Sequence, residues 1–228
     1  VLRAAQKVNV TKLILFGSSC MYPKECSQPI AEDILLSGKL EPTSLPYAVS
    51  KLAGVYMCLA YNKQYGGSSF IPLIPNSVYG PNDNFDLETS HVLPAMLRKF
   101  HEAKENNTPV KLWGSGTPMR EFLFVDDMAE AVVYALENEL PEYLYNVGSG
   151  KDITIKELAE TIQQVTGQEG EIIWDTEKPD GTPRKLMDVS KISALGWQYS
   201  TELKAGIEKT YSWFLENKNH LKEVKLKF

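Results

Sequence analysis

The stretch KLILFGSSC, Lys12–Cys20, decides the fold class of this chain. Its first part is short and apolar, which predicts a buried β-strand over Lys12–Phe16 that ends at Gly17-Ser18-Ser19. Residues Val1–Val8, ahead of it, have the composition of a helix tail. A strand that ends in a small-residue turn is typical of a parallel sheet whose carboxyl edge carries a site.

The next helix and strand support the same fold. A helix is predicted from about Pro46 to Tyr65, because Ser44 suits an N-cap, Pro46 suits a first turn and Gly66 suits a C-terminal stop. A second buried strand is predicted over Ser69–Ile74. Helix, strand, helix, strand predicts an α/β fold, with a Rossmann-like doubly wound parallel sheet.

The second half of the chain has shorter elements. Four helices are predicted: one at His91–Ala103, one that begins after a cap at Asp126, one that runs from a Thr154–Glu157 capping box to Gly167, and one at Leu203–Asn217. Four strands are predicted, at Val110–Trp113, Phe122–Val125, Tyr145–Val147 and Ile172–Trp174. We therefore expect residues 1–84 to belong to the Rossmann domain. Residues 85–228 should form mainly a smaller α/β domain, with some segments returning to the first.

Composition narrows the class of partner. The chain has 228 residues, 43% hydrophobic, with a net charge of −5, which argues against nucleic acid and against an acidic membrane surface. No apolar run is long enough for a membrane span. Three scattered cysteines favour a reducing cytoplasm over a disulfide framework. We predict no metal site.

Tyr47 and Lys51 are the candidate catalytic pair. They stand at i and i+4 on the predicted helix, so their side chains share one face. An ammonium beside a phenol stabilises the phenolate, which can then exchange a proton with a carbonyl oxygen. Ser18, directly after the first strand, could bond the same oxygen. Taken alone, a Y-x-x-x-K pattern is also common as chance or surface packing.

Longer segments carry a resemblance to a known family. The strand with its GSS turn, the Tyr–Lys helix and PNSVYGP (Pro75–Pro81) resemble the extended short-chain dehydrogenase/reductase superfamily. A closer resemblance, to the GDP-L-fucose synthase family, rests on GSSCMYPK (Gly17–Lys24), PYAVSK (Pro46–Lys51), YGPNDNF (Tyr79–Phe85), SHVLPAMLRKFHEA (Ser90–Ala103), WGSGTPMREFLFVDDMA (Trp113–Ala129) and KPDGTPRKLMDVS (Lys178–Ser190). These segments occur in order along most of the chain.

The resemblance implies an NADPH-dependent enzyme that converts GDP-4-keto-6-deoxy-D-mannose to GDP-L-fucose, by epimerisation at C3 and C5 and then reduction at C4. Tyr47 would give a proton to the C4 oxygen, with Lys51 and Ser18 assisting. Cys20 and His91 would be the acid–base pair of the epimerisation. The family positions that contact NADP(H) correspond to Ser18, Ser19, Tyr47, Lys51, Pro75, Asn76, Ser77, Val78 and His91. The resemblance also implies that the protein forms a homodimer.

Four further residues match family positions that hold the GDP part of the substrate: Lys99, Trp113, Arg120 and Asp180. An arginine can clamp a pyrophosphate through two hydrogen bonds, and a tryptophan offers an aromatic face. The alternative for Arg120 is a surface ion pair with Glu121 or another neighbour, and for Trp113 a place in the core. For Cys20 the alternative is a small buried hydrophobe, and for His91 a capping or surface histidine.

Two departures from the family pattern bear on the cofactor. Relatives usually have Pro-Thr-Asn where this chain has Pro75-Asn76-Ser77. The G-x-x-G-x-x-G loop that binds a pyrophosphate does not occur in these residues, as if the sequence began after about three βα units, on the order of 90 residues. We therefore expect the chain alone to bind NADP(H) weakly and its sheet to have a free edge. Two other hypotheses stay open: another nucleotide-sugar epimerase or dehydratase, and a silent nucleotide-sugar-binding module.

Overall fold

A computed structural model describes residues 1–67 and 69–221. Within them the helices are α1 (Leu2–Lys7), α2 (Leu45–Tyr65), α3 (Val92–Asn106), α4 (Val125–Glu137), α5 (Ile155–Thr166), α6 (Ser190–Ala194) and α7 (Leu203–Asn217). The strands are β1 (Leu13–Phe16), β2 (Phe70–Pro75), β3 (Ser77–Tyr79), β4 (Val110–Trp113), β5 (Met119–Phe124), β6 (Tyr145–Val147), β7 (Asp152–Thr154), β8 (Ile172–Asp175) and β9 (Arg184–Lys185). The predicted α/β class is confirmed.

The chain divides into two compact units, each built from three segments. The first unit contains Val1–Ser77, Glu121–Lys151 and Lys185–Tyr199. The second contains Val78–Arg120, Asp152–Arg184 and the chain from Ser200. The chain therefore passes five times from one unit to the other, and three of these crossings lie within β3, β5 and β9.

The first unit is built on a parallel sheet in the order β1-β2-β6. β2 is buried along its length up to Pro75, as expected for a strand with a neighbour on each side. β1 is half-buried and its Phe16 is 46% exposed, so the prediction of a buried first strand was wrong. In the described part of the chain, β1 pairs only with β2, which leaves the free edge that the sequence led us to expect.

Helix α2 covers this sheet with one face. Its buried residues, Ala48, Leu52, Val55, Cys58 and Asn62, recur every three or four positions. The Asn62 side chain donates to the Phe70 carbonyl at 2.7 Å and accepts from the Phe70 N–H at 3.1 Å, which fixes the helix to the start of β2. Gly66 ends α2 in the left-handed conformation, as predicted, whereas the Ser44 side chain makes no capping bond.

The second unit combines helices with a small parallel strand pair. β4 pairs with β8, and α5 packs against both α3 and α7. The capping box predicted for α5 is present: the Thr154 hydroxyl accepts from the Glu157 N–H at 3.1 Å, and the Glu157 carboxylate accepts from the Thr154 N–H at 2.8 Å. The helix ends at Gly167, as expected.

The predicted cap of α4 was wrong. The N-cap position is Phe124 and makes no side-chain bond, while Asp126 and Asp127 lie in the first turn. The reason is that β5 runs directly into the helix without an intervening loop. Acidic residues in a first turn still favour the helix through its dipole. In residues 1–67 and 69–221 no helix is long and apolar enough to cross a membrane.

Candidate active site

The structure places the Lys51 ammonium at the carboxyl end of β1. Its Nζ donates to the carbonyl of Phe16, the last residue of the strand, at 3.0 Å. The same Nζ lies 5.7 Å from the centre of the Tyr47 ring. Tyr47 is 49% exposed, so its phenol is accessible to a ligand. One turn of α2 therefore holds the phenol and the ammonium together at the carboxyl end of β1.

Ser18, Ser19 and Cys20 form one tight turn after β1. The Gly17 N–H donates to the Leu73 carbonyl at 2.8 Å, which keeps the start of the turn against β2. Ser18 caps the short 3₁₀ turn over Ser19–Met21, and its hydroxyl accepts from the Cys20 N–H at 3.2 Å. Ser19 is buried and Cys20 is half-buried. The turn thus brings the candidate reductase hydroxyl and the candidate epimerase thiol within two residues.

A cation that the sequence analysis did not single out lies beside Cys20. The Lys185 Nζ is 3.9 Å from the Cys20 Sγ. Lys185 belongs to the KPDGTPRKLMDVS segment, but sequence spacing alone gives no reason to pair it with a cysteine 165 positions earlier. The pairing depends on tertiary contacts that bring the segment back to the first unit.

Asn76, directly after β2, is held by acceptors. Its Nδ2 donates to the Glu121 carboxylate at 2.6 Å and to the Lys185 carbonyl at 3.3 Å, which fixes the orientation of the amide. Glu121 also accepts from the N–H groups of Gly150 at 2.7 Å and Met187 at 2.9 Å. Its side chain is fully buried. Burial raises the pKa of the Glu121 carboxyl, and the hydrogen bonds from Asn76 and the backbone oppose that rise.

Glu121 was missed as an organising residue, although one signal was available: an acidic residue inside the apolar strand REFLF. The alternative in which Arg120 pairs with Glu121 was wrong. The Arg120 guanidinium instead donates to the Met119 carbonyl at 2.7 Å. Adjacent residues of a strand point to opposite faces, which separates the two side chains.

His91 and Val78 lie in the second unit, whereas Ser77 is in the first. His91 occupies the N-cap position of α3, is exposed and makes no capping bond with its side chain. Asp83, another residue missed from the sequence, interacts electrostatically with it. Burial raises the pKa of the Asp83 carboxyl, while the Asn84 N–H and His91 lower it. The pairing of His91 with Cys20 stays a prediction.

The four predicted nucleotide-binding residues line one cavity of the second unit. Lys99, Trp113, Arg120 and Asp180 share a space of about 600 Å³ whose other walls include Leu87, Met96, Leu112 and Ile155. Trp113 is 69% exposed, so it is not a core aromatic. The ammonium groups of Lys99 and Lys178 each lie 5.7 Å from its ring centre. An apolar cleft with cations at its side suits a nucleotide with a pyrophosphate.

The Asp180 side chain is fixed by its neighbours. Asp180 accepts from the Ser115 N–H at 2.9 Å and from the Ser115 hydroxyl at 2.7 Å, and these bonds lower the pKa of the Asp180 carboxyl. Gly114 has φ +80° and has no room for a Cβ beside the Asp180 carboxylate. Burial lowers the pKa of the Arg120 guanidinium.

The first unit offers groups that fit the nicotinamide end of NADP(H). The Lys51 ammonium has three donors, of which the Phe16 carbonyl takes one, and this leaves two for the hydroxyls of a ribose. Tyr47 and Ser18 lie at the same end of β1. Across the described ranges no group of three or more His, Cys, Asp or Glu side chains could hold a metal ion.

Comparisons with known proteins agree with this geometry. Residues 1–148 match the model of the NAD dependent epimerase/dehydratase family. The chain is 50% identical, over 97% of its length, to GDP-L-fucose synthase of Escherichia coli K12, and 53% identical, over 92%, to a probable GDP-L-fucose synthase 1 of Oryza sativa. It spans 72% and 64% of those two proteins.

A solved structure gives the same assignment. The crystal structure of a GDP-L-fucose synthetase from Naegleria fowleri bound to NADP is 30% identical, with a TM-score of 0.91, and the match covers 97% of this chain and 71% of that one. The predicted Rossmann-like class is thereby confirmed. This chain belongs to the GDP-L-fucose synthase family, within the NAD dependent epimerase/dehydratase family.

Proposed function

We propose that the protein converts GDP-4-keto-6-deoxy-D-mannose to GDP-L-fucose with NADPH, by epimerisation at C3 and C5 followed by reduction at C4. The observation that carries this proposal is the turn after β1, which joins Ser18 to Cys20 in one 3₁₀ turn. A hydroxyl for a ketone oxygen and a thiol for the neighbouring carbon would then meet one sugar. The names of the curated relatives support the GDP-linked substrate.

We propose that the cavity of the second unit binds the GDP part. Lys99 and Arg120 would neutralise the pyrophosphate, and the exposed face of Trp113 would stack on an apolar part of the ligand. Asp180 would accept hydrogen bonds from the ligand at the cavity wall, since its carboxylate is held there by Ser115.

Epimerisation would use the acidity of the positions beside the C4 ketone. Removal of a proton at C3 or C5 leaves an enolate whose charge lies on the C4 oxygen. Cys20 and His91 would act on opposite faces of the carbon, one removing the proton and the other returning one, which inverts the centre.

Reduction would follow at C4. NADPH supplies the hydride when it is bound. Tyr47 would deliver the proton to the C4 oxygen, Ser18 would hydrogen-bond the same oxygen, and Lys51 would stabilise the phenolate that Tyr47 becomes. Lys51 would also bind the nicotinamide ribose through its two remaining donors. Ser19, the segment 75–78 and His91 would complete the cofactor contacts.

We further propose a homodimer in the cytoplasm. Helix α2 exposes Val49, Tyr56 and Met57 by 40–50% of their surfaces, and a second copy would bury them. The free thiols of Cys20, Cys26 and Cys58 fit a reducing compartment.

The test uses protein expressed from its complete gene, GDP-4-keto-6-deoxy-D-mannose and NADPH in deuterated water. NADPH oxidation is followed by absorbance, and deuterium at C3 and C5 is followed by NMR. We expect Tyr47→Phe to lose reduction and keep exchange, and Cys20→Ala to lose exchange. Tyr65→Phe, at an exposed tyrosine of the same helix, is the matched control and should behave as wild type.

Two results would separate the alternative functions, and a third tests the role of Cys20. Binding of the GDP-sugar without exchange or NADPH oxidation would favour a silent binding module. Turnover of a different nucleotide sugar in preference to this one would favour another epimerase or dehydratase. Unchanged exchange in Cys20→Ala would remove that residue from the epimerisation.

A further inference from the structure

The strongest feature that the proposed function does not use is the contact between Lys185 and Cys20. The Lys185 Nζ stands 3.9 Å from the Cys20 Sγ, and Lys185 is half-buried. It also acts electrostatically on Cys26, where burial raises the pKa of the thiol and Lys185 lowers it. The ammonium therefore contacts the Cys20 thiol and opposes the effect of burial on the Cys26 thiol.

The backbone around Lys185 is fixed from several sides. The Lys185 carbonyl accepts from Asn76, and the next two N–H groups donate to the Gln28 side chain at 2.9 Å and to Glu121 at 2.9 Å. A parallel bridge joins Met187 to Ile30. The lysine is consequently presented from a rigid segment, so its place beside Cys20 follows from the fold.

Lys185 has no carboxylate partner within salt-bridge distance among residues 1–67 and 69–221. Its neighbour Arg184 is paired with Asp152 at 2.6 Å. A half-buried ammonium is stabilised best by an anion. The Cys20 thiol, which the ammonium contacts, can become such an anion, because it turns into a thiolate when it loses its proton.

We infer that Lys185 is a positioning residue of the epimerisation that acts through Cys20, where its charge stabilises the thiolate. This inference rests on the proposed function. In the step, the Cys20 thiolate takes the proton from C3 or C5 and becomes a thiol. The electron pair of the broken C–H bond moves into the C4 carbonyl as an enolate, and His91 returns a proton to the opposite face. Lys185 keeps its own protons throughout.

The first test measures local charge and needs neither substrate nor cofactor. In a Cys26→Ser background, alkylation of Cys20 is followed by peptide mass spectrometry with neutral iodoacetamide and with anionic iodoacetate. We expect Lys185→Met to slow alkylation at least about tenfold and to lower the iodoacetate-to-iodoacetamide rate ratio, because an opposite charge at this distance favours the thiolate at least that strongly. Lys185→Arg should restore most of the alkylation rate and most of the rate ratio.

Arg184→Gln is the matched control, since it removes the adjacent cation that already has a partner; both rates should stay unchanged. Thermal melts by circular dichroism establish that each variant is folded. Equal rates in wild type and Lys185→Met would overturn the inference. So would a Lys185→Arg variant as slow as Lys185→Met, because the charge would then not be the cause.

The second test measures solvent deuterium at C3 and C5 of GDP-4-keto-6-deoxy-D-mannose. Lys185→Met should lower exchange at least about tenfold, with rescue by Lys185→Arg, whereas the control Arg184→Gln should not lower it. Exchange at the wild-type rate in Lys185→Met would overturn the inference about Lys185 and leave the proposed function intact. Absence of exchange in the wild type would instead refute the proposed function, and the alkylation rates would still report on the Lys185–Cys20 contact.

Discussion

Replacing Glu121 with glutamine tests whether one buried carboxylate holds the carboxyl end of the first unit's sheet together. One carboxylate oxygen accepts from Asn76 and Met187, and the other accepts from Gly150. Glutamine fills the same space but offers one acceptor and one NH₂ group, so at least one buried donor would face another donor.

The magnitude follows from the three contacts. An unpaired buried donor costs about 1–3 kcal/mol, and the two remaining bonds each lose about 1 kcal/mol when their acceptor is no longer charged. Relief from burying a charge, the effect that raises the pKa of Glu121, offsets part of this. We expect a net loss of about 2–4 kcal/mol in the free energy of unfolding.

The assay combines urea denaturation, followed by circular dichroism, with hydrogen–deuterium exchange of the peptides that contain Gly150 and Met187. Both peptides should exchange faster in Glu121→Gln. Glu169→Gln, an exposed residue, is the control and should change stability by less than about 0.5 kcal/mol. A change equally small in Glu121→Gln, with exchange at both peptides unaltered, would refute the reasoning.

Three further predictions follow from burial and backbone geometry. Burial lowers the pKa of His101, so the unfolded chain binds a proton at higher pH than the folded chain does. The free energy of unfolding should therefore fall as the pH drops below about 6.5. Urea titrations on both sides of that pH measure this dependence, and His101→Gln should lose it. Gly114→Ala should weaken GDP binding, measured by calorimetry, because φ is +80° and a Cβ displaces Asp180; unchanged affinity would contradict this. Burial raises the pKa of Cys58 to about 11, so a disulfide reagent should modify it only in unfolded protein, and rapid modification of the native protein would speak against this.

The elements best predicted from the sequence carry their own local signals. The α5 boundaries followed from the Thr154–Glu157 capping box and Gly167, and the end of α2 followed from Gly66. These signals act within one turn of helix, so they need no knowledge of the rest of the fold. The short strands β3, β7 and β9 were not predicted, because polar or charged residues (Ser77, Asp152 and the pair Arg184–Lys185) stand where an apolar run would mark a strand.

What could not be predicted depends on contacts between distant segments. The prediction that β1 is buried was wrong because the apolar composition of a strand does not determine how many strands pair with it. Glu121 and Lys185 were missed as site residues because their roles arise from partners at positions 76, 20 and 150. Sequence resemblance identified the four residues as candidates for binding the GDP part of the substrate, and the structure adds that they line one cavity.

The most direct test of the account is the isotopic content of the product. Protein from the complete gene, given GDP-4-keto-6-deoxy-D-mannose and NADPH in deuterated water, should yield GDP-L-fucose with deuterium at both C3 and C5 and one NADPH oxidised per product. A product formed by NADPH oxidation without deuterium at these carbons would contradict the epimerase half of the proposed site. Exchange without oxidation would contradict the reductase half.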